Sequence, residues 1–242
     1  MVRTGLIVAL DVPTLDDARR LAETVRESAE MLKVGLELFI ESGPRSVAMC
    51  GEIGLPVMLD LKLHDIPETV ERGVARASAL GARLITVHAG GGPTMLRRAV
   101  VRAEREGNRT EIAAVTVLTS FDNADLARIG VQDSVAEQVG RLAKMAWNEG
   151  VRTFVCSPHE AAMLRALLGE GVSLITPGVR AGTASGGDDQ KRIMTASEAI
   201  RAGARWVVVG RPIRDADDPA AAARTIVNEI TASAGGSSCE RF

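Results

Sequence analysis

The sequence predicts an α/β fold, a (β/α)8 TIM barrel built as a single domain. Three observations carry that prediction. Eight short, β-branched apolar segments alternate with helical segments along the 242 residues. No polar linker divides the chain, whose length suits one barrel. A doubly wound sheet, the competing alternating architecture, usually begins with a glycine-rich dinucleotide fingerprint, and none follows the first strand. The barrel is expected over residues 1–233, with 234–242 as a short flexible C-terminal tail.

Each element has its own signal. Leu6 to Asp11 reads as the first strand, ending in a carboxylate. Leu15, Ala18, Leu21, Ala22 and Val25 then repeat at helical spacing, with Thr14 as the cap and Asp16 and Asp17 in the acidic first turn. Met31 to Gly35 is the second strand and carries Lys33. The helix from about Glu37 to Met49 is open to division at Gly43-Pro44. Pro56 to Leu63 is the third strand, followed by an amphipathic helix through Val70, Val74, Ala77 and Leu80.

Leu84 to His88, Ile112 to Leu118, Phe154 to Cys156, Leu174 to Thr176 and Trp206 to Val209 complete the eight strands. Between them lie helices through Met95 to Val100, from about Val131 to Glu149, and through Leu168. A short insert covers Asp122 to Ile129, and a final alanine-rich helix runs from about Pro219 to Thr231.

Composition removes several function classes. Hydrophobic residues make up 46% and charged residues 25%, values of an ordinary globular protein. With 29 basic and 31 acidic residues the formal charge is -2, so there is no polycationic signature for nucleic acid. No Tyr, four Phe and two Trp supply a poor platform for stacking bases. The three cysteines, Cys50, Cys156 and Cys239, have neither disulfide-framework nor metal-ligand spacing, and the three histidines form no ligand cluster. No signal peptide or membrane-length apolar run is visible, so no membrane partner is expected and the simplest location is cytoplasmic.

The most unusual stretch is Val57 to Pro67. Period two places Met58, Asp60 and Lys62 on one face of a strand whose two faces both begin apolar, and Asp65 follows just beyond. Ions in such a strand are either a structural network or a site. The barrel prediction favours the site, because barrel active sites lie at the C-terminal ends of several strands. Asp11, Lys33, Asp60, Lys62, His88 and Thr119 all fall at or near such ends. Asp11 shares parity with Ile7 and Ala9, Lys33 with Met31, and Thr119 with Val115 and Val117, which is compatible with facing the barrel axis.

Phosphate sites in barrels commonly use the loops after strands seven and eight. Pro177-Gly178-Val179-Arg180 opens a glycine-rich loop running to Asp189, and Val209-Gly210-Arg211-Pro212 leaves the eighth strand. Backbone N–H groups near Gly210 and the guanidinium of Arg211 suit a phosphate. His88 is expected to be a hydrogen-bonded structural residue near the site, His64 no catalyst, and His159 a surface residue at a helix start.

These motifs together resemble the orotidine 5'-phosphate decarboxylase family of bacterial type. The resemblance covers residues 4 to 231. Its most specific stretch is Asp60-Leu61-Lys62-Leu63-His64-Asp65-Ile66-Pro67, an Asp-x-Lys-x-x-Asp signature. Supporting pieces are Ala9-Leu10-Asp11, Leu32-Lys33-Val34-Gly35, Val87-His88-Ala89, Leu118-Thr119-Ser120, Thr176 to Arg180, Gln190-Lys191-Arg192 and Val209 to Pro212.

The resemblance implies decarboxylation of orotidine 5'-monophosphate at C6 to give UMP, with no metal or organic cofactor. Lys62 would stabilise the charge developing at C6 and protonate it, with Asp60 beside the departing carboxylate. Asp11 and Lys33 would bind ribose hydroxyls, Lys33 also joining a charged network with Asp60, Lys62 and Asp65. Thr119 would contact the pyrimidine amide edge. Gln190, Gly210, Arg211 and Arg180 would serve the phosphate, and closure of the loop between Arg180 and Gln190 would exclude water. The resemblance further implies a homodimer with shared sites, in which Asp65, Ile66 and Thr69 reach the neighbour's substrate.

Two other functions fit the barrel less well. A metal-dependent sugar-phosphate decarboxylase or aldol-type enzyme shares the acid–lysine–acid spacing, and a nucleotide-binding barrel without turnover would not need Asp60 and Lys62 intact.

Overall fold

The computed structural model describes residues 4–107, 109–180 and 194–235. The strands are β1 (Gly5–Ala9), β2 (Met31–Val34), β3 (Val57–Leu63), β4 (Leu84–His88), β5 (Glu111–Val115), β6 (Thr153–Val155), β7 (Ser173–Pro177), β8 (Val179–Arg180), β9 (Met194–Thr195) and β10 (Trp206–Val209). Eight of them close into a parallel barrel in the order β1-β10-β7-β6-β5-β4-β3-β2, while β8 and β9 pair separately beside it. The (β/α)8 expectation holds.

The helices are α1 (Leu15–Val25), α2 (Leu36–Ser42), α3 (Pro44–Ile53), α4 (Pro67–Ala79), α5 (Gly92–Glu106), α6 (Asn123–Arg128), α7 (Val135–Asn148), α8 (Pro158–Leu168), α9 (Ala196–Arg201), α10 (Arg211–Arg214) and α11 (Pro219–Gly235). Among the described residues no helix is long and apolar enough to cross a membrane.

Local chemistry explains the boundaries. Thr14 caps α1 by accepting from the Asp17 N–H. Gly43 divides α2 from α3 because its φ of +56° is left-handed, and Pro44 then opens the second helix. The long helix expected from Val131 starts instead at Val135, where Ser134 and Glu137 form a reciprocal capping box. The insert before it is itself helical, as α6, with its own capping box between Asp122 and Asp125. The final helix reaches Gly235, beyond the expected Thr231. Residues 236–242, including Cys239, lie outside the described residues.

The fifth strand ends at Val115, three residues earlier than expected. Its neighbours explain this: the ladders stop at the pairs His88↔Val115 and Val115↔Val155, so residues 116–118 have no strand to pair with.

Alternation along the strands builds two cores. Ile7, Ala9, Met31, Met58, Leu84, Ala113, Ile175 and Val208 fill the barrel interior, with Val155 and Trp206 packed against them. Leu6, Val8, Leu32, Leu59, Ile85, Phe154 and Val207 point the other way, into the larger core beneath the helices. Each such side chain contributes roughly 1.5–3 kcal/mol when fully buried. The inward set also sets a direction. Following it towards the C-terminal ends leads from Ile7 and Ala9 to Asp11, from Met31 to Lys33, and from Met58 to Asp60.

Candidate active site

β3 is where the barrel departs from regular pairing. Its register with β4 runs Met58↔Leu84 and Leu59↔Ile85, then resumes only at Leu63↔Val87. Two extra residues on β3 must therefore bulge, and Lys62 takes up the distortion with a φ of +50°. A left-handed conformation costs a non-glycine residue about 1–2 kcal/mol, so surrounding bonds must hold it. The Lys62 N–H donates to Thr86 Oγ1 at 2.9 Å, and that hydroxyl donates to Asp60 Oδ1, also at 2.9 Å.

Around this bulge the charges form a continuous chain. Lys33 Nζ lies 2.9 Å from Asp11 Oδ1 and 3.5 Å from Asp60 Oδ2, while Lys62 Nζ lies 2.9 Å from Asp60 Oδ1. The order Asp11–Lys33–Asp60–Lys62 alternates sign, so each buried ion faces an opposite charge. Side-chain exposure is 11% for Lys33 and Asp60 but 32% for Lys62 and 41% for Asp11. The central pair is thus sealed, and the two ends remain open to a ligand.

The electrostatics follow from that packing. Burial disfavours the Lys33 ammonium, yet the carboxylates of Asp11 and Asp60 outweigh it and hold its pKa above the usual lysine value. Burial likewise pushes Asp60 up, but Lys33, Lys62 and the hydrogen bonds from Lys62 and Thr86 prevail, holding its carboxyl below the usual range. Both groups of the central pair, Lys33 and Asp60, are charged at neutral pH.

Two contacts missed by sequence reasoning support this chain. A Cβ on Gly35 would come within 2.7 Å of Asp11 Oδ1 and 2.9 Å of Lys33 Nζ, so the ion pair needs glycine there. Arg214 Nη1 donates to the Asp11 carbonyl at 2.7 Å while its Nε pairs with Asp215, tying the end of β1 to α10. Inward parity with Leu84 was the available signal for Thr86; Arg214 carried none.

The remaining expected residues sit apart from the chain. Asp65, Ile66 and Thr69 are exposed, and Asp65 Oδ1 accepts from the Ile66 N–H at 2.6 Å instead of joining the network. The expected charge alternation through Asp65 is therefore absent within one chain, where Asp11 supplies the second acid. Thr119 lies half-buried in the turn after β5. Its inferred parity with Val117 fails, because the strand has already ended and Val117 packs in the outer core.

Gly210 precedes α10, where a Cβ would stand 3.9 Å from Asp11 Oδ2, and exposed Arg211 opens that short helix. The backbone of Arg180 lies in β8, and Gln190 falls outside the described residues.

His88 departs from expectation. Its ring has no hydrogen-bond partner among the described residues and instead meets the His64 ring at 5.4 Å between centroids. Burial, then His64 and Lys62, lower its pKa. His159 is exposed at the start of α8, and Cys50 and Cys156 are buried. Among the described residues, no group of three or more His, Cys, Asp or Glu is arranged to hold a metal ion.

The sequence and the fold have counterparts in known proteins. The model of the orotidine 5'-phosphate decarboxylase / HUMPS family matches residues 4–226. The chain belongs to this family. It is 51% identical to an orotidine 5'-phosphate decarboxylase of Anaeromyxobacter sp. (strain K), over 91% of this chain and 96% of the relative. It is 46% identical to one from Chromohalobacter salexigens, over 94% and 96% of the two chains. The crystal structure of orotidine 5'-phosphate decarboxylase from Lactobacillus acidophilus superposes with a TM-score of 0.81 at 33% identity, covering 94% of this chain and 99% of that one. The region matched by the family model contains the whole ion chain, Asp11, Lys33, Asp60 and Lys62, together with Arg211.

Proposed function

We propose that this chain removes CO2 from C6 of orotidine 5'-monophosphate to give UMP, in pyrimidine nucleotide biosynthesis, with Lys62 as the acid that protonates C6. The observation that carries the reading is the Asp60 carboxylate shared by two ammonium groups, one of which, Lys62, remains open to a ligand. As the C6–carboxylate bond breaks, its electron pair stays on C6. The Lys62 ammonium sits where that charge develops and delivers its proton, leaving UMP, CO2 and a neutral amine that solvent reprotonates. Asp60 holds Lys62 in place and repels the substrate carboxylate, a repulsion relieved as CO2 leaves.

The rest of the nucleotide spans the barrel mouth. Asp11 and Lys33 take the ribose hydroxyls, and Thr119 the amide edge of the pyrimidine. Gly210, Arg211, Arg180 and Gln190 take the phosphate, where a guanidinium gives a bidentate contact. The exposure of Asp65, Ile66 and Thr69 supports a homodimer in which these residues complete the neighbour's site.

The test is turnover of orotidine 5'-monophosphate with a chelator present, followed by loss of its ultraviolet absorbance and by detection of UMP. Conversion at the same rate with and without chelator is expected. A folded protein that forms no UMP would overturn the reading, and activity abolished by chelator would transfer it to a metal-dependent reaction.

A further inference from the structure

We infer that Thr86 is a positioning residue for this reaction: its hydroxyl locks the bulge of β3 so that the Lys62 ammonium meets C6. The inference rests on the reading of Lys62 as proton donor.

Thr86 is fully buried in the middle of β4, between Ile85 and Val87, both packed in the outer core. Its own parity turns it inward, towards the extra residues of β3. There a single oxygen makes two bonds of opposite sense. It accepts from the Lys62 N–H at 2.9 Å and donates to Asp60 Oδ1 at 2.9 Å. Asp60 Oδ1 is also the atom that receives the Lys62 ammonium. The hydroxyl therefore closes a ring: Lys62 backbone, Thr86, Asp60, Lys62 side chain.

That ring answers a specific problem. Lys62 holds a left-handed φ of +50°, which a lysine does not adopt without restraint. In a regular ladder a strand N–H would be fixed by the neighbouring backbone, but β3 and β4 are out of register at this point. Thr86 replaces the missing backbone acceptor with a side-chain one. Its β-branch leaves χ1 few choices inside a packed strand, so the oxygen is held in place. The same bond orients the carboxylate that sets the ammonium. Removing the hydroxyl releases the Lys62 N–H and takes one of the restraints from the Asp60 carboxylate.

The expected signature is a split between turnover and binding. Thr86→Val keeps the shape and branching but offers neither donor nor acceptor. It should lower kcat roughly 10- to 100-fold, the loss that an ångström-scale misplacement of a reacting group produces. Affinity for UMP, which depends on ribose and phosphate contacts, should stay within about threefold of the parent. Thr86→Ser restores the hydroxyl and should recover most of kcat. Thr86→Ala provides a second hydroxyl-free variant should Val fail to fold, with thermal melting as the check.

Several outcomes overturn the inference. They are a Val variant as fast as the parent, a Ser variant as slow as Val, or UMP binding that weakens in step with kcat. Failure of both Val and Ala to fold beside a folded Ser variant would assign Thr86 to stability alone. Lys62→Ala, assayed alongside, separates the two claims. If it retains turnover, the proton-donor reading falls and this inference with it. If it is silent while Thr86→Val is fully active, only the role of Thr86 falls.

Discussion

The two ends of the Asp60–Thr69 segment solve opposite problems. At Asp60 and Lys62 the charges are folded into the barrel mouth, each with an opposite charge within 2.9 Å and a threonine bridging backbone to side chain. A few residues on, Asp65, Ile66 and Thr69 face outward, and Ile66 leaves 67% of its surface in solvent. One half of the segment is paired within a single chain; the other leaves its side chains in solvent, where the proposed dimer would use them. In the proposed dimer the inner half is preorganised within its own chain, whereas the outer half would depend on assembly.

The strongest way to break that comparison is to separate the halves between subunits. Lys62→Ala and Asp65→Ala should each lose at least about 10²-fold in turnover as pure proteins, the range for loss of a positioned proton donor or its electrostatic partner. Mixed and allowed to exchange, they should regain roughly a quarter of parental activity, because half the dimers are hybrids with one intact site of two. No recovery after demonstrated exchange would place Asp65 in its own chain's site or in none. A smaller effect is expected at the far end of the nucleotide. Arg211→Ala should weaken UMP binding by roughly 10- to 100-fold, the worth of a charged hydrogen bond, with much less change in kcat. Unchanged affinity would move the phosphate elsewhere.

The inner half was largely legible in the sequence, for a geometric reason. A parallel strand keeps strict parity while its ladder lasts, so Ile7 and Ala9 point to Asp11 and Met58 to Asp60. Where a ladder ends, parity ends. Thr119 lies beyond Val115, the last paired residue of β5, and its direction could not be extrapolated. The bulge at Lys62 was equally hidden, because lysine carries no signal for positive φ as glycine does. Thr86 reads as one more β-branched strand former, and only the register shift gives its oxygen partners. The tie from Arg214 to Asp11 joins residues 203 positions apart, beyond the reach of any local pattern.

Gly35 tests how tightly the inner half is built. Gly35→Ala places a methyl against Asp11 Oδ1 and Lys33 Nζ, so the pair must separate by a few tenths of an ångström or more. The ratio kcat/KM should fall several-fold, on the order of 1 kcal/mol, mainly through a higher KM, since the proposed contacts of Asp11 and Lys33 are with the ribose. An unaltered KM with a collapsed kcat would show instead that the Lys33–Asp60 contact transmits the strain to Lys62.

The mildest effect belongs to His88, which lies between the halves, near Lys62 and against the ring of His64 at the start of the outward loop. Burial comes first among the causes that depress its pKa, followed by the His64 and Lys62 charges, with Asp60 opposing them. The folded chain therefore binds this proton less readily than the unfolded chain, whose histidine titrates near pH 6.5. The stabilisation is present above about pH 6.5 and is lost as pH falls through the lower folded value. In melting experiments from pH 8 to pH 5, the parent should lose stability relative to His88→Gln as acid is added, while the two curves run parallel above neutrality. Parallel curves throughout would mean that His88 accepts its proton freely. The inner half would then be open to water on the side facing His64, and the boundary between a sealed half and an outward one would have to move back to Lys62 itself.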